Sequence, residues 1–245
     1  MSPDVASLPH DSYVYEAVRA MGKRRIGSVI VEDKGVPVGI FTERDLLCRV
    51  MEPGKDPRSL TLATVMSTPL LTTPLHASTK EAAQAMIQFK GKLVVMREGK
   101  ILGIVTASDL IKTMPDVEET KVPVSHFMTK KVVVTDYGTS LLEVVHIMAK
   151  KRIGSLIVEK ENQPYGIFTE RDLVSKLLLQ DVSLARGVGE FASRPMVVIN
   201  PDTSVHRGAA IMGKEHVRRL PVVERETAQM VGIVTARDLV EAYAK

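Results

Sequence analysis

The chain has 245 residues, 44% hydrophobic and 25% charged, with 33 Lys and Arg against 29 Asp and Glu. That composition builds an apolar core, fits about two domains of ordinary size and excludes a disordered or low-complexity chain. Apolar runs fall short of the ~20 residues that span a bilayer, the single Cys48 excludes an internal disulfide, and Met1 to Val5 lack a signal-peptide layout. The expectation is a cytoplasmic protein with no membrane contact.

The octapeptide Gly39 to Leu46 returns unchanged as Gly166 to Leu173, and variants of it stand at Gly103 to Leu110 and Gly232 to Leu239. Four copies of one unit therefore divide the chain into residues 1–58, 59–117, 118–184 and 185–245. Residues 21–47 match 148–174 at 18 of 27 positions without a gap, so repeats one and three are near copies. Repeats two and four share Gly-Ile-Val-Thr-Ala-x-Asp-Leu, and the chain reads as a duplicated pair with modules 1–117 and 118–245. Repeat one lacks a counterpart of Pro123 to Phe127, so its first strand should be short.

Within repeat three, Val132 to Thr135 predicts a buried strand, and Gly138-Thr139-Ser140 a turn and helix cap. Leu141, Leu142, Val145 and Met148 have helical spacing. Ser155 to Glu159 and Tyr165 to Phe168 form a hairpin around Lys160 to Gln163, and a second helix follows from Thr169 through Leu178. The unit is β-α-β-β-α in an α/β (α+β) fold, too small to bury its faces alone. Met21, Met86, Met148 and Met212 fall at matching helix positions and read as core; Cys48 reads as a small buried side chain.

The chemistry lies in Thr-x-x-Asp at the start of the second helix. Thr42, Thr106, Thr169 and Thr235 are placed as N-caps, beside amides and a dipole that favour anions. Asp45, Asp109, Asp172 and Asp238 follow as acceptors. The same spacing is a capping box, which alone would explain the pair. Capping does not explain Arg44, Arg171 and Arg237 inside the motif, where repeat two has Ser108, nor the cations before the second strand: Lys23 to Arg25, Lys90 with Lys92, Lys150 to Arg152, and Arg218-Arg219. A phosphate cradle beside a carboxylate fits a ribose phosphate.

These motifs resemble the cystathionine β-synthase (CBS) domain, in four copies over essentially the whole chain. The resemblance implies paired repeats with clefts for adenosine-containing ligands, the four aspartates on ribose hydroxyls and the four threonines on phosphate or ribose. It further implies base contacts near Ile26-Gly27-Ser28, Ile153-Gly154-Ser155, Leu93 and Leu220, an adenine slot lined by Val134 and Ile199, and phosphate contacts from Arg25, Arg152, Arg218 and Arg219. Four repeats in one chain also look like the nucleotide-sensing gamma subunit of AMP-activated protein kinase, which implies a flat disc. The expected role is a non-catalytic sensor of AMP, ADP or ATP that signals to a regulated protein partner. Repeat two, with Ser108, is expected to bind worst.

S-adenosylmethionine is an alternative ligand of the same chemistry. The competing classes are nucleic-acid binding, raised by a net charge of +4 but with only five Phe and five Tyr for stacking, and a structural scaffold or homodimer with degenerate sites. The six histidines show no metal spacing with one another or with Cys48, and no Walker, dinucleotide or nucleophile-elbow motif is present. No enzyme, metal or catalytic cofactor is expected.

Overall fold

Four times over, an apolar helix face and a hydrophobic hairpin are made by the same local sequence signals. In the computed structural model, which describes every residue except Asp4, repeat one runs β1 (Ser7–Pro9), α1 (Val14–Arg24), β2 (Ser28–Asp33), β3 (Val36–Thr42) and α2 (Glu43–Asp45). Repeat two runs β4 (Thr72–Pro74), α3 (Thr79–Phe89), β5 (Leu93–Arg97), β6 (Lys100–Val105) and α4 (Ala107–Lys112). Repeat three runs β7 (Val134–Asp136), α5 (Leu141–Lys150), β8 (Ser155–Lys160), β9 (Gln163–Thr169) and α6 (Glu170–Asp172). Repeat four runs α7 (Val205–Lys214), β10 (Arg219–Val223), β11 (Met230–Thr235) and α8 (Ala236–Ala244).

The first helix of a repeat starts where a serine caps it: Ser78, Ser140 and Ser204 each accept a hydrogen bond from the amide three residues on. Repeat one has Tyr13 at that place, and the Glu16 carboxylate takes the Tyr13 amide instead at 3.0 Å. Each helix buries one stripe, such as Val14, Ala17, Val18 and Met21 in α1, or Leu141, Val144, Val145 and Met148 in α5. All four expected methionines are buried. Cys48, in contrast, is half-buried at the edge of the core, because it follows Leu46-Leu47 onto the outer side of the turn.

In repeats one to three the first strand is parallel to the second, and the second is antiparallel to the third. Repeat one's first strand has three residues, but so have β4 and β7. In repeat four it shrinks to a single parallel bridge from Ile199 to Val222. The second helix of repeats one and three is short α followed by π-helical turns, Leu46–Met51 and Leu173–Leu177, rather than the uniform helix that apolar spacing predicts.

The repeats are threaded through one another. Ser67, in the lead of repeat two, pairs with Ile40 of β3 in both directions, at 2.8 and 3.0 Å, and Ser193 pairs with Ile167 of β9 at 2.8 and 3.1 Å. Reciprocally, Ser2 pairs with Ile104 of β6, and Thr129 with Ile233 of β11. This explains the glycine that opens each octapeptide. A Cβ at Gly39, Gly103, Gly166 or Gly232 would stand 3.0, 2.9, 3.0 or 3.2 Å from the carbonyl oxygen of Ser67, Ser2, Ser193 or Thr129. The conformation itself is ordinary extended backbone; it is the crossing lead that leaves no room.

The apolar contacts divide the chain differently from the consecutive modules 1–117 and 118–245 of the sequence reading. One compact unit comprises Ala6–Leu70 and Val133–Pro195; the other comprises Met1–Val5, Leu71–Val132 and Met196–Lys245. The first has a core around Phe41, Phe168, Met21 and Met148, drawn from repeats one and three. The second has a core around Met86, Leu110, Met212 and Leu239, drawn from repeats two and four. Helical periodicity reveals which face is apolar, but four similar faces offer no way to read which copy covers which.

Candidate functional site

The hairpin register delivers the motif residues to one place in each repeat. Ser28 lies opposite Thr42, Ser155 opposite Thr169, Arg219 opposite Thr235, and Leu93 opposite Val105. The amide after the motif threonine then bonds to the start of the second strand: Glu43 to the Gly27 carbonyl, Glu170 to Gly154, and Ala236 to Arg218. The structure thus brings Ile26-Gly27-Ser28, Ile153-Gly154-Ser155 and Arg218-Arg219-Leu220 beside the Thr-x-x-Asp motif of their own repeats.

All four aspartates are bound into the helix starts. The Oδ2 atoms of Asp45, Asp109, Asp172 and Asp238 accept both the amide and the hydroxyl of Thr42, Thr106, Thr169 and Thr235, at 2.6 to 2.9 Å. The capping box is real in every copy. It occupies one carboxylate oxygen, and the copies differ in what meets the other.

In repeat one, Asp45 Oδ1 accepts the Ser67 hydroxyl at 2.8 Å and lies 3.5 Å from Arg49 Nη1. In repeat three, Asp172 Oδ1 meets Lys176 Nζ at 2.7 Å, with Ser193 Oγ at 3.4 Å. Both aspartates are buried. The cations are anchored in turn: Arg49 Nη1 donates to the carbonyls of Val65, at 2.9 Å, and Met66, and Lys176 Nζ to the Phe191 carbonyl at 2.7 Å and Ser193 Oγ at 2.9 Å. The sequence reading missed both residues, although a cation four positions after the aspartate was visible in each near copy.

Repeats two and four lack that cation, having Thr113 and Ala242 at the position. Asp109 Oδ1 has the Ser2 hydroxyl at 3.3 Å and the Met1 nitrogen at 3.9 Å. Among the described residues, no hydrogen bond to Asp238 Oδ1 is formed. Burial pushes the Asp238 carboxyl above its ordinary value, outweighing the hydrogen bonds from Thr235 and the charge of Arg237, which pull it down.

The motif arginines are engaged elsewhere. Arg44 Nε lies 2.7 Å from Glu170 Oε1, and Arg171 Nε lies 3.4 Å from Glu43 Oε1, so each octapeptide grips the other. Arg237 Nη2 donates to the Ile87 carbonyl at 3.4 Å, and Ser108 is half-buried in the first turn of α4. Arg25 and Arg152 are exposed in left-handed conformations, φ 54° in each, as are Lys90 and His216 at the ends of their helices.

The two slot residues do not share a face. Val134 is exposed at 47% and pairs with Ile157, whereas Ile199 is buried at 5%. The residue of repeat four that stands as Val134 does is Val198, exposed at 49%. A one-residue slip exchanges the faces of a strand, and the lone bridge at Ile199 gave the sequence no alternation with which to fix it. Among the described residues no group of three or more His, Cys, Asp or Glu is placed to hold a metal ion, and no helix is long and apolar enough to cross a membrane.

The family model described as "CBS domain" matches residues 1–52, 62–116, 124–179 and 188–245, one match per repeat. A 33.4 kDa protein encoded in a ribosomal RNA operon of Thermofilum pendens is 27% identical over 266 residues, covering 97% of this chain and 87% of that one. Protein MK0525 of Methanopyrus kandleri is 36% identical over 103 residues, or 41% of this chain, and the match spans only 53% of that relative's length. The crystal structure of MJ1225 from Methanocaldococcus jannaschii superposes with a TM-score of 0.84 at 20% identity, covering 100% of this chain and 98% of that one. A Pyrococcus horikoshii protein superposes at 0.66 and 22%, covering 99% and 97%. At such identities the two structures speak for the fold alone. With the family pattern recurring four times and accounting for nearly every residue, the chain belongs to the CBS-domain family.

Proposed function

We propose that this protein is a non-catalytic regulatory sensor that binds adenine nucleotides at its CBS motifs and transmits their occupancy to a protein partner. The observation that carries the reading is the split use of the motif carboxylate. One oxygen caps the helix start, and in repeat four the other has no hydrogen bond from the described residues, beside the first turn of α8 and the basic start of β10. Such an acceptor suits vicinal ribose hydroxyls, and the neighbouring cations suit phosphate. The mechanism is a population shift limited by the ligand's differential affinity for two arrangements of the chain.

Calorimetric titration of the ligand-stripped protein with AMP, ADP, ATP, S-adenosylmethionine and a short DNA duplex tests the reading. Saturable nucleotide heats are expected. Heat from DNA alone, falling steeply with salt, would replace the sensor with a nucleic-acid binder, and silence with every ligand would leave a scaffold.

A further inference from the structure

Paired repeats meet through their helices, and one of these meetings is left unfilled. In the unit built from repeats one and three, α1 packs against the helical turns Leu173–Leu177 and Leu178–Gln180 that follow α6. Gly22, directly after the buried Met21, receives Leu179 there: a Cβ on Gly22 would collide with Leu179 Cδ1. In the unit built from repeats two and four, α7 packs against α4, and Gly213 follows the buried Met212 as Gly22 follows Met21. A Cβ on Gly213 would meet nothing within 4 Å.

The difference is written in the chain. Counted from the motif aspartates, Leu178 and Leu179 stand where repeat two has Pro115 and Asp116. Repeat three continues in helical turns through Gln180. In repeat two, α4 stops at Lys112, ahead of a proline that lacks the amide proton and disfavours helix in the residue before it. No side chain is therefore carried onto Gly213. What remains is a groove of about 310 Å³, floored by the buried Ile111, Met114 and Ala209. Its lining carries two exposed cations, Lys112 and Lys214, and no acid; Glu215, 3.9 Å from Lys214 Nζ, is outside it. His206 also lines the groove, its buried Nδ1 without a hydrogen-bond partner among the described residues.

We infer that this groove is the docking site for a segment of a partner protein that inserts a leucine-sized side chain over Gly213 and brings a carboxylate to Lys112 and Lys214. Leu179 on Gly22 supplies the apolar half of the fit from within the chain itself. The two lysines of an acid-free lining supply the polar half by charge complementarity. A volume at the lower limit of small-molecule pockets suits one anchoring side chain of a longer segment. The inference rests on the protein-partner half of the reading above and not on its nucleotide half.

The test is amide NMR of the full, ligand-free chain titrated with the blocked peptide Leu-Leu-Gln-Asp, which copies residues 178–181. Saturable shifts centred on Gly213 and Ile111 are expected, and a peptide with alanine for its second leucine should give none. Gly213→Leu fills the groove from within, in open space, and should melt no lower than wild type while abolishing the shifts. Gly213→Ala adds one methyl to the same space and should weaken the peptide several fold even if the larger residue disturbs α7. The exposed double variant K112A/K214A should weaken the Asp peptide several fold and leave its Asn counterpart unchanged. No shift at millimolar peptide, shifts that survive both Gly213 variants, or equal binding of the alanine peptide would each overturn the site. Octanoate seated where the peptide is not would overturn the partner assignment in favour of a small amphipathic acid, and a self-association that Gly213→Leu abolishes would do so in favour of a second copy. A chain that takes the peptide but gives no heat with any nucleotide supports this inference and overturns the nucleotide reading alone.

Discussion

Arg44 and Glu170 meet at 2.7 Å across the two identical octapeptides, and Arg171 and Glu43 repeat the contact at 3.4 Å. The arginine of Thr-Glu-Arg-Asp is therefore a tie between repeats one and three, and its effect should be read in stability. Arg44 is 41% exposed but the Glu170 side chain only 11%, so Arg44→Ala removes a close charge-assisted contact from a largely buried carboxylate. The expected cost is about 1–3 kcal/mol in denaturant unfolding. The charge-reversed pair R44E/E170R should recover part of it; full additivity of the two single losses would show that the pair is not coupled.

The glycine of each octapeptide is required by the lead that crosses it. Gly166→Ala would push a methyl group against the Ser193 carbonyl and the Ala192 Cβ, both 3.0 Å from the added atom. Overpacking of this kind costs about 1–3 kcal/mol. Hydrogen exchange at the Ile167 and Ser193 amides should accelerate beyond the global change, and unchanged protection there would mean that the strand absorbs the methyl without releasing the lead.

Asp238 gives the chain a pH signature. Its folded carboxyl is held above the ordinary value of 3.8 by the desolvation of its half-buried place. A raised folded value means that this group's contribution to stability is full below the unfolded value and is lost as pH rises through the folded one. Thermal melts of wild type and Asp238→Asn across the acid range should therefore diverge, the wild type losing ground to the variant as pH rises. Parallel curves would show that Asp238 titrates normally. If the ribose is held by the ionised carboxylate, AMP affinity should rise through the same interval.

Phe168 is fully buried in the core shared by repeats one and three. Phe168→Ala should cost about 3–5 kcal/mol and, since that core draws on both halves of the chain, should weaken proteolytic protection in repeat one as well as repeat three. Cleavage confined to repeat three would argue that the two repeats are stabilised separately.

Much of this was legible in residues alone. The fourfold Gly-Ile-x-Thr-x-x-Asp-Leu gave the repeats, and the alternation around Ser155 to Phe168 gave the hairpins, because local spacing reports local geometry. The partners of charged groups were not legible. Arg44 and Arg171 looked like phosphate ligands because a sequence shows a cation without showing the glutamate that faces it from a distant repeat. Arg49 and Lys176 were overlooked for the converse reason: a cation four residues after an acid on a helix reads as an ordinary surface pair. Only the crossing lead, which places Val65, Met66 and Phe191 within reach, turns it into a lock. Ile199 was placed beside Val134 as a slot residue because a strand reduced to a single bridge has no pattern to set its register.

Because each core takes one repeat from either half of the chain, folding is bound to the order of synthesis. While the ribosome is still making the third repeat, Ala82, Met86 and Leu110 have no counterpart, since Ala209, Met212 and Leu239 have yet to emerge. The second core closes only when Met196–Lys245 leaves the exit tunnel. A nascent chain must therefore keep an apolar helix face waiting through the whole of the third repeat, which makes this interval the one in which a chaperone, or a second copy of the same chain, would find it.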